Sequence, residues 1–347
     1  MSPAREVAFD VLREVEKGGY ASDLLLRRSA KLESRDAGLA SEIVFGCLRY
    51  QAQLDYLIDR LAAKRLDLEV RIALRMGVYQ LRYLDRIPAH AAVGESVELV
   101  KRGGKSSAAG LVNAVLRKVD AAPVAWPDRA TELSLPEWLA EKWDRRFGPD
   151  TTDQIAAAFL RPVQNYIAST GRMQDIGAQS VVPMLDLSPG LTLLDLCAAP
   201  GNKTAQALEY GVEAVACDIH WHRLKNLEGL RCHRIVVDAT RELPFRGRFD
   251  RILVDAPCSG TGTLGRNPEI KWRLEPSDLV QLRRKQVALL RNALGHLNPG
   301  GKLVYSTCSL EPEENEMVIE EFPGSWQVTQ RLPGIDEGDG FFIAVLG

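Results

Sequence analysis

From residue 191 onward, short apolar runs rich in β-branched residues alternate with amphipathic helical stretches, a pattern that few folds accept. A strand followed by a helix and then another strand returns parallel to the first, so the region must build a parallel sheet from βαβ units. Strands are expected at 191–196, 214–217, 234–237, 251–254 and 303–306, with a last hairpin from 326–331 and 341–346. In an open parallel sheet, ligands bind outside the carboxyl ends of the strands, so the residues just past those ends are where chemistry is sought.

Residues 4–120 read differently. Leu39, Ile43, Cys47, Tyr50, Leu54 and Leu57 recur at three- and four-residue spacing, as do Ile72, Leu74, Val78, Leu81 and Leu84. Breaks at Gly18-Gly19, Arg86-Ile87-Pro88 and Gly103-Gly104 divide this stretch into a bundle of about five to seven helices. Pro123 and Pro127 deny a continuous helix and mark a boundary, after which helical pattern resumes over 135–160. Three regions are therefore expected: an all-helical domain over 1–122, a linker with a helical, shortened substrate-binding region over 123–186, and an α/β catalytic domain over 187–347.

Composition excludes several classes. The chain is 46% hydrophobic and 26% charged, ordinary for a globular protein, and no apolar run approaches the roughly 20 residues that a membrane helix needs. A cytoplasmic protein is expected. The six cysteines form no CxxC pair, which indicates neither a zinc site nor a redox dithiol, and the histidines show no ligand spacing. No metal is expected. The net charge of −2 hides a slightly basic front and a slightly acidic back, compatible with nucleic-acid binding without establishing it.

The first strand runs into Asp195-Leu196-Cys197-Ala198-Ala199-Pro200-Gly201-Asn202-Lys203-Thr204, where small residues let backbone approach a bound nucleoside. Asn202 separates Gly201 from Lys203, so this is no P-loop, and no GxGxxG is present. Asp218 follows the second strand about twenty residues beyond the loop, the usual offset for a carboxylate that holds ribose hydroxyls. Asp238 and Asp255 end the next two strands; each acid alone could be a cap, but three in register suit a nucleoside with polar edges. Cys258 in Asp255-Ala256-Pro257-Cys258 and Cys308 in Ser306-Thr307-Cys308-Ser309 follow two of these strands, so both thiols should face one crevice. Enzymes that methylate exocyclic base amines tend to place Asn/Asp-Pro-Pro-aromatic at the first of these positions. A cysteine there, with a second in the next loop, points instead to covalent attack on a ring carbon. Cys47, Cys217 and Cys232 read as small buried hydrophobes.

These motifs, with Pro268-Glu269-Ile270-Lys271-Trp272, Glu311-Pro312-Glu313-Glu314-Asn315 and Gly338-Asp339-Gly340-Phe341-Phe342, resemble the RNA cytosine-5 methyltransferases of the Sun/Fmu type. The helical front, with Ile43-Val44-Phe45-Gly46-Cys47-Leu48-Arg49-Tyr50, resembles the NusB-like RNA-binding domain. The resemblance spans nearly the whole chain. It implies a class I S-adenosylmethionine-dependent, Rossmann-like methyltransferase domain preceded by an all-helical NusB-like domain. It further implies methylation of cytosine C5 in RNA, 16S rRNA above all, with transfer RNA as the rival substrate and a non-catalytic RNA-binding protein as the rival class. No obligate protein partner is indicated.

On the same resemblance, Cys197, Ala198, Ala199, Pro200, Gly201, Asn202 and Lys203 would wrap the methionine part of S-adenosyl-L-methionine, Asp218 the ribose and Asp238 the adenine side. Arg223 matches a family arginine of unassigned role. Asp255 would lie between cofactor and base, Cys308 would add to C6, and Cys258 would help release the product. The chain departs from the family pattern twice: Asn202 stands where a second glycine is usual, tolerable even at positive φ, and residues 163–173 replace a longer substrate-binding subdomain.

Overall fold

A computed structural model describes residues 2–62 and 65–347, which divide into two compact bodies. One holds the residues up to Pro162 together with Leu264–Trp272, and the other holds Val163–Thr263 and Arg273–Gly347.

The first body contains α1 (Pro3–Val15), α2 (Ala21–Arg28), α3 (Ser34–Arg49), α4 (Gln51–Leu61), α5 (Leu68–Tyr83), α6 (Ala89–Arg102) and α7 (Ala109–Leu116), then α8 (Arg129–Leu133), α9 (Glu137–Phe147) and α10 (Pro149–Leu160). Of the apolar stripes, Ile43, Cys47, Leu54, Ile72, Leu74 and Val78 lie in one core, while Leu39, Tyr50, Leu57, Leu81 and Leu84 pack around it. Full burial of each such side chain stabilises the body by roughly 1.5–3 kcal/mol. The first stripe is two helices, because the chain turns at Tyr50 (φ −97°, ψ 16°) between α3 and α4. A Cβ on Gly46 would overlap the Tyr79 ring, so glycine is what lets α3 lie so close to α5. Residues 121–127 have no regular structure, and the helical stretch over 135–160 breaks at Gly148, whose φ of +83° ends α9.

The expected catalytic span 187–347 is interrupted, since Leu264–Trp272, containing most of α14 (Ile270–Arg273), belongs to the helical body. The physical reason lies at the end of α3, where backbone carbonyls lack partners within the helix. The Trp272 indole N–H donates to Leu48 O at 2.7 Å and Lys271 Nζ to Arg49 O at 2.9 Å. Arg49 in turn donates to Gly265 O at 2.8 Å, and Glu269 accepts from Ala21 N at 2.8 Å.

The second body opens with α11 (Ile176–Gln179) and continues as β1 (Thr192–Asp195), α12 (Asn202–Leu208), β2 (Glu213–Asp218), α13 (Trp221–Leu224), β3 (Cys232–Val236) and β4 (Phe249–Asp255). After α15 (Pro276–Gly295) come β5 (Leu297–Thr307), α16 (Glu316–Ile319), β6 (Gln327–Arg331) and β7 (Phe341–Leu346). The seven strands run in the order β3-β2-β1-β4-β5-β7-β6, all parallel through β5, with β7 antiparallel between β5 and β6. This is the open, Rossmann-like α/β sheet that the alternating pattern predicts. The order of strands along the sheet reverses between β1 and β4, which opens a crevice at their carboxyl ends. Among the described residues no helix is long and apolar enough to cross a membrane, and no group of His, Cys, Asp and Glu has metal-binding geometry.

Candidate active site

The carboxyl ends of β1, β2, β4 and β5 surround a cleft of about 580 Å³, a size suited to a nucleoside-containing ligand. Cys197, Ala199, Asp218, Arg223, Asp238, Asp255, Cys258 and Cys308 all line it. Ala198, Pro200, Gly201 and Asn202 are not on its wall; they shape the loop behind. Ala198 N donates to Cys217 O at 2.8 Å, tying the loop to the end of β2. Gly201 takes φ +100°, and a Cβ there would stand 2.5 Å from Leu227, so the turn into α12 requires glycine. Asn202 needs no positive φ, because Gly201 takes it instead. Its amide donates to Met173 O at 3.0 Å and accepts from Arg172 at 3.3 Å, so the two departures from the family pattern touch each other.

Lys203 is likewise not on the wall but bonds to Asp255, which is, with Nζ 2.7 Å from Oδ2. Burial alone would lower the Lys203 pKa, but the Asp255 charge and hydrogen bond outweigh it and hold the ammonium form. The other Asp255 oxygen accepts from Ser306 Oγ at 2.8 Å, its register partner on β5. Asp255 is thus clamped from both sides with its carboxylate on the cleft wall. Beneath it, Asp195 is buried, accepts from Thr204 Oγ1 at 2.7 Å, and has its pKa raised by burial to about 7.

The two sulfurs meet: Cys258 Sγ lies 3.2 Å from Cys308 Sγ. The hydrogen bond with Cys308, burial, and the charges of Cys308 and Glu314 push the Cys258 thiol well above its ordinary range. The shift holds Cys258 in its thiol form, and either sulfur can donate in the contact.

The other two acids make the turn bonds expected of caps, and also face the cleft. Asp218 Oδ1 accepts from His220 N at 2.9 Å. Asp238 Oδ1 accepts from Thr240 Oγ1 at 2.6 Å and Thr240 N at 3.1 Å, bonds that hold its carboxyl below the usual range. Arg223 donates to Ala199 O at 3.1 Å with its guanidinium 3.8 Å from Asp218, a physical role for an arginine whose part the resemblance left open: it braces the loop after β1 against the end of β2. Sequence reasoning missed His220, Leu282, Lys285 and Leu289 on the cleft wall; the histidines show no ligand spacing, and the others sit on α15, whose cleft-facing side no motif marks.

A family model for the 16S rRNA methyltransferase RsmB/F matches residues 182–327, and one for the NusB family matches 2–121. The chain is 34% identical to the ribosomal RNA small subunit methyltransferase B of Klebsiella pneumoniae, over 99% of this chain and 97% of that protein. It is 32% identical to the protein of the same name from Escherichia coli O1:K1, over 99% and 98%. These alignments run over 424 positions against 347 residues here, so the relatives carry internal residues that this chain lacks. Among solved structures, that of PH0851 superposes with a TM-score of 0.79 at 21% identity, covering 100% of this chain and 99% of that one, a likeness of fold. A methyltransferase homolog protein from Pyrococcus horikoshii gives a TM-score of 0.53 at 25% identity, over 64% of this chain and 99% of its own.

Proposed function

The chain belongs to the 16S rRNA methyltransferase RsmB/F family and is an RNA methyltransferase; we propose that it methylates C5 of a cytosine in 16S rRNA through a covalent bond between Cys308 and C6. The observation that carries this reading is the pair of sulfurs 3.2 Å apart beside the Lys203–Asp255 clamp. Exocyclic amine methylation would need no thiol, whereas C5 of cytosine is a poor nucleophile until something adds to C6.

S-Adenosyl-L-methionine is the proposed methyl donor. The cleft fits it: Asp218 offers a carboxylate for ribose hydroxyls, Asp238 a second polar edge, and Leu196, Ala199 and Leu289 an apolar wall. When bound, it supplies the electrophilic methyl group that the activated C5 takes up. The residues do the rest. Cys308, as thiolate, forms the bond to C6 and places electron density on C5. Asp255, steadied by Lys203 and Ser306, supports the N3/N4 edge of the base as charge shifts. After methylation solvent water takes the C5 proton, the C5–H electron pair re-forms the C5=C6 double bond, and Cys308 leaves C6 as a thiolate, which the Cys258 thiol assists by donating its S–H to the departing sulfur. The target base must leave its stack to reach these groups, so locally single-stranded or splayed RNA is the substrate form. The helical body adds RNA contacts, and the cytoplasm is where such a substrate is met.

The test incubates the protein with S-adenosylmethionine tritiated on the methyl group and with 16S rRNA, small subunits or transfer RNA, followed by nucleoside analysis. Label in 5-methylcytidine from 16S rRNA is expected. Label only in transfer RNA, or at another atom, would overturn the reading.

A further inference from the structure

We propose that Glu314 is a positioning residue, which fixes the spacing of the Cys258 and Cys308 sulfurs by tying together the two loops that carry them. The proposal rests on the catalytic roles just assigned to these cysteines. Glu314 is fully buried, and its carboxylate takes bonds from both loops. Oε1 accepts from Ser259 N at 2.8 Å and Gln286 Nε2 at 2.9 Å; Oε2 accepts from Ser259 Oγ at 2.5 Å and Ser309 Oγ at 2.5 Å. Ser259 and Ser309 each directly follow a cysteine. Gln286 also donates to Pro257 O at 3.0 Å, so the loop is held on both sides of Cys258. The next residue does the same for the other loop, Asn315 accepting from Thr307 Oγ1 at 2.5 Å and donating to Ser309 O at 2.9 Å.

All four donors to Glu314 are neutral, so no counter-charge offsets the cost of burying the carboxylate. Burial pushes its pKa up while the Ser259, Ser309 and Gln286 bonds pull the other way. For stability alone, apolar side chains of similar volume in place of the whole set of donors and acceptor would serve as well. What an apolar side chain cannot do is accept three directed bonds from two loops fifty residues apart in sequence and a fourth from Gln286 on α15. Those bonds leave the two sulfurs one hydrogen-bond length apart, and a displacement of about 1 Å in such a pair costs about 100-fold in rate.

The test uses the full-length protein and dibromobimane, which fluoresces when it bridges two neighbouring thiols, with monobromobimane as the single-thiol control and Cys258→Ser as the background. In Glu314→Ala, bridging should fall at least about tenfold with single alkylation unchanged, and kcat about 100-fold with KM for RNA nearly constant. Glu314→Gln keeps the shape and most acceptor contacts, since the serine hydroxyls can rotate, and should retain bridging within about threefold. Ser309→Ala removes one bond and should fall between; it decides the matter if Glu314→Ala does not fold. Bridging at the wild-type rate in Glu314→Ala or, failing that, in Ser309→Ala would overturn the proposal, as would equal loss in Glu314→Gln and Glu314→Ala. Because bridging needs neither RNA nor methyl donor, its outcome stands apart from whether cytosine is the substrate.

Discussion

Replacing Lys271 by methionine should flatten the pH dependence of the helical body's stability. Lys271 is 1% exposed, its ammonium donates to Arg49 O, and it lies 5.0 Å from the Trp272 ring centroid. Burial, reinforced by the nearby Arg49 charge, lowers its pKa from 10.5 to about 7. Between those values the unfolded chain holds a proton that the folded chain does not, so stability rises with pH across this window. The contribution is complete above the unfolded pKa and is lost as pH falls through the folded one. Each pH unit is worth about 1.4 kcal/mol, so from pH 7 to 9.5 the wild type should gain about 3 kcal/mol relative to Lys271→Met. Urea unfolding followed by tryptophan fluorescence at several pH values measures the difference, with Trp272 reporting on the same segment. Equal slopes for the two proteins would refute the argument, since Lys271 would then keep one charge state through folding.

Two further variants probe the catalytic body. Gly262→Ala would drive a Cβ into Gly340 O and within 2.9 Å of Cys308 O, both backbone atoms, so the Cys308 loop must move; about 1–3 kcal/mol of stability and about 100-fold in kcat should be lost, read by thermal melting and methyl transfer. Asp218→Asn keeps the turn bond to His220 but weakens the acceptor for ribose hydroxyls, so the Kd for S-adenosylmethionine by calorimetry should rise about tenfold with RNA affinity unchanged, and a change under twofold would remove Asp218 from the cofactor site.

Much of this was legible in the chain because strand ends and motifs are local. The apolar runs ending at Asp218, Asp255 and Thr307 mark three strand termini, and a parallel sheet carries the loops after them to one crevice. The start of β5 was not, because Asn298-Pro299-Gly300-Gly301 reads as a turn, whereas it enters the sheet through an irregular register opposite Phe249. Neither was the allegiance of Leu264–Trp272, since periodicity shows which face of a segment is apolar but not which core accepts it. The Glu314 network was equally hidden: its motif was visible, but Ser259 and Ser309 become neighbours only once β4 and β5 pair.

The central claim, that Cys308 bonds to the pyrimidine and Cys258 serves its release, is tested most directly by trapping. Cys258→Ala, mixed with S-adenosylmethionine and 16S rRNA, should give a protein–RNA adduct that survives denaturing electrophoresis, and Cys308→Ala should give none and transfer no methyl group. An adduct formed by Cys308→Ala, or methyl transfer undiminished in it, would contradict the account.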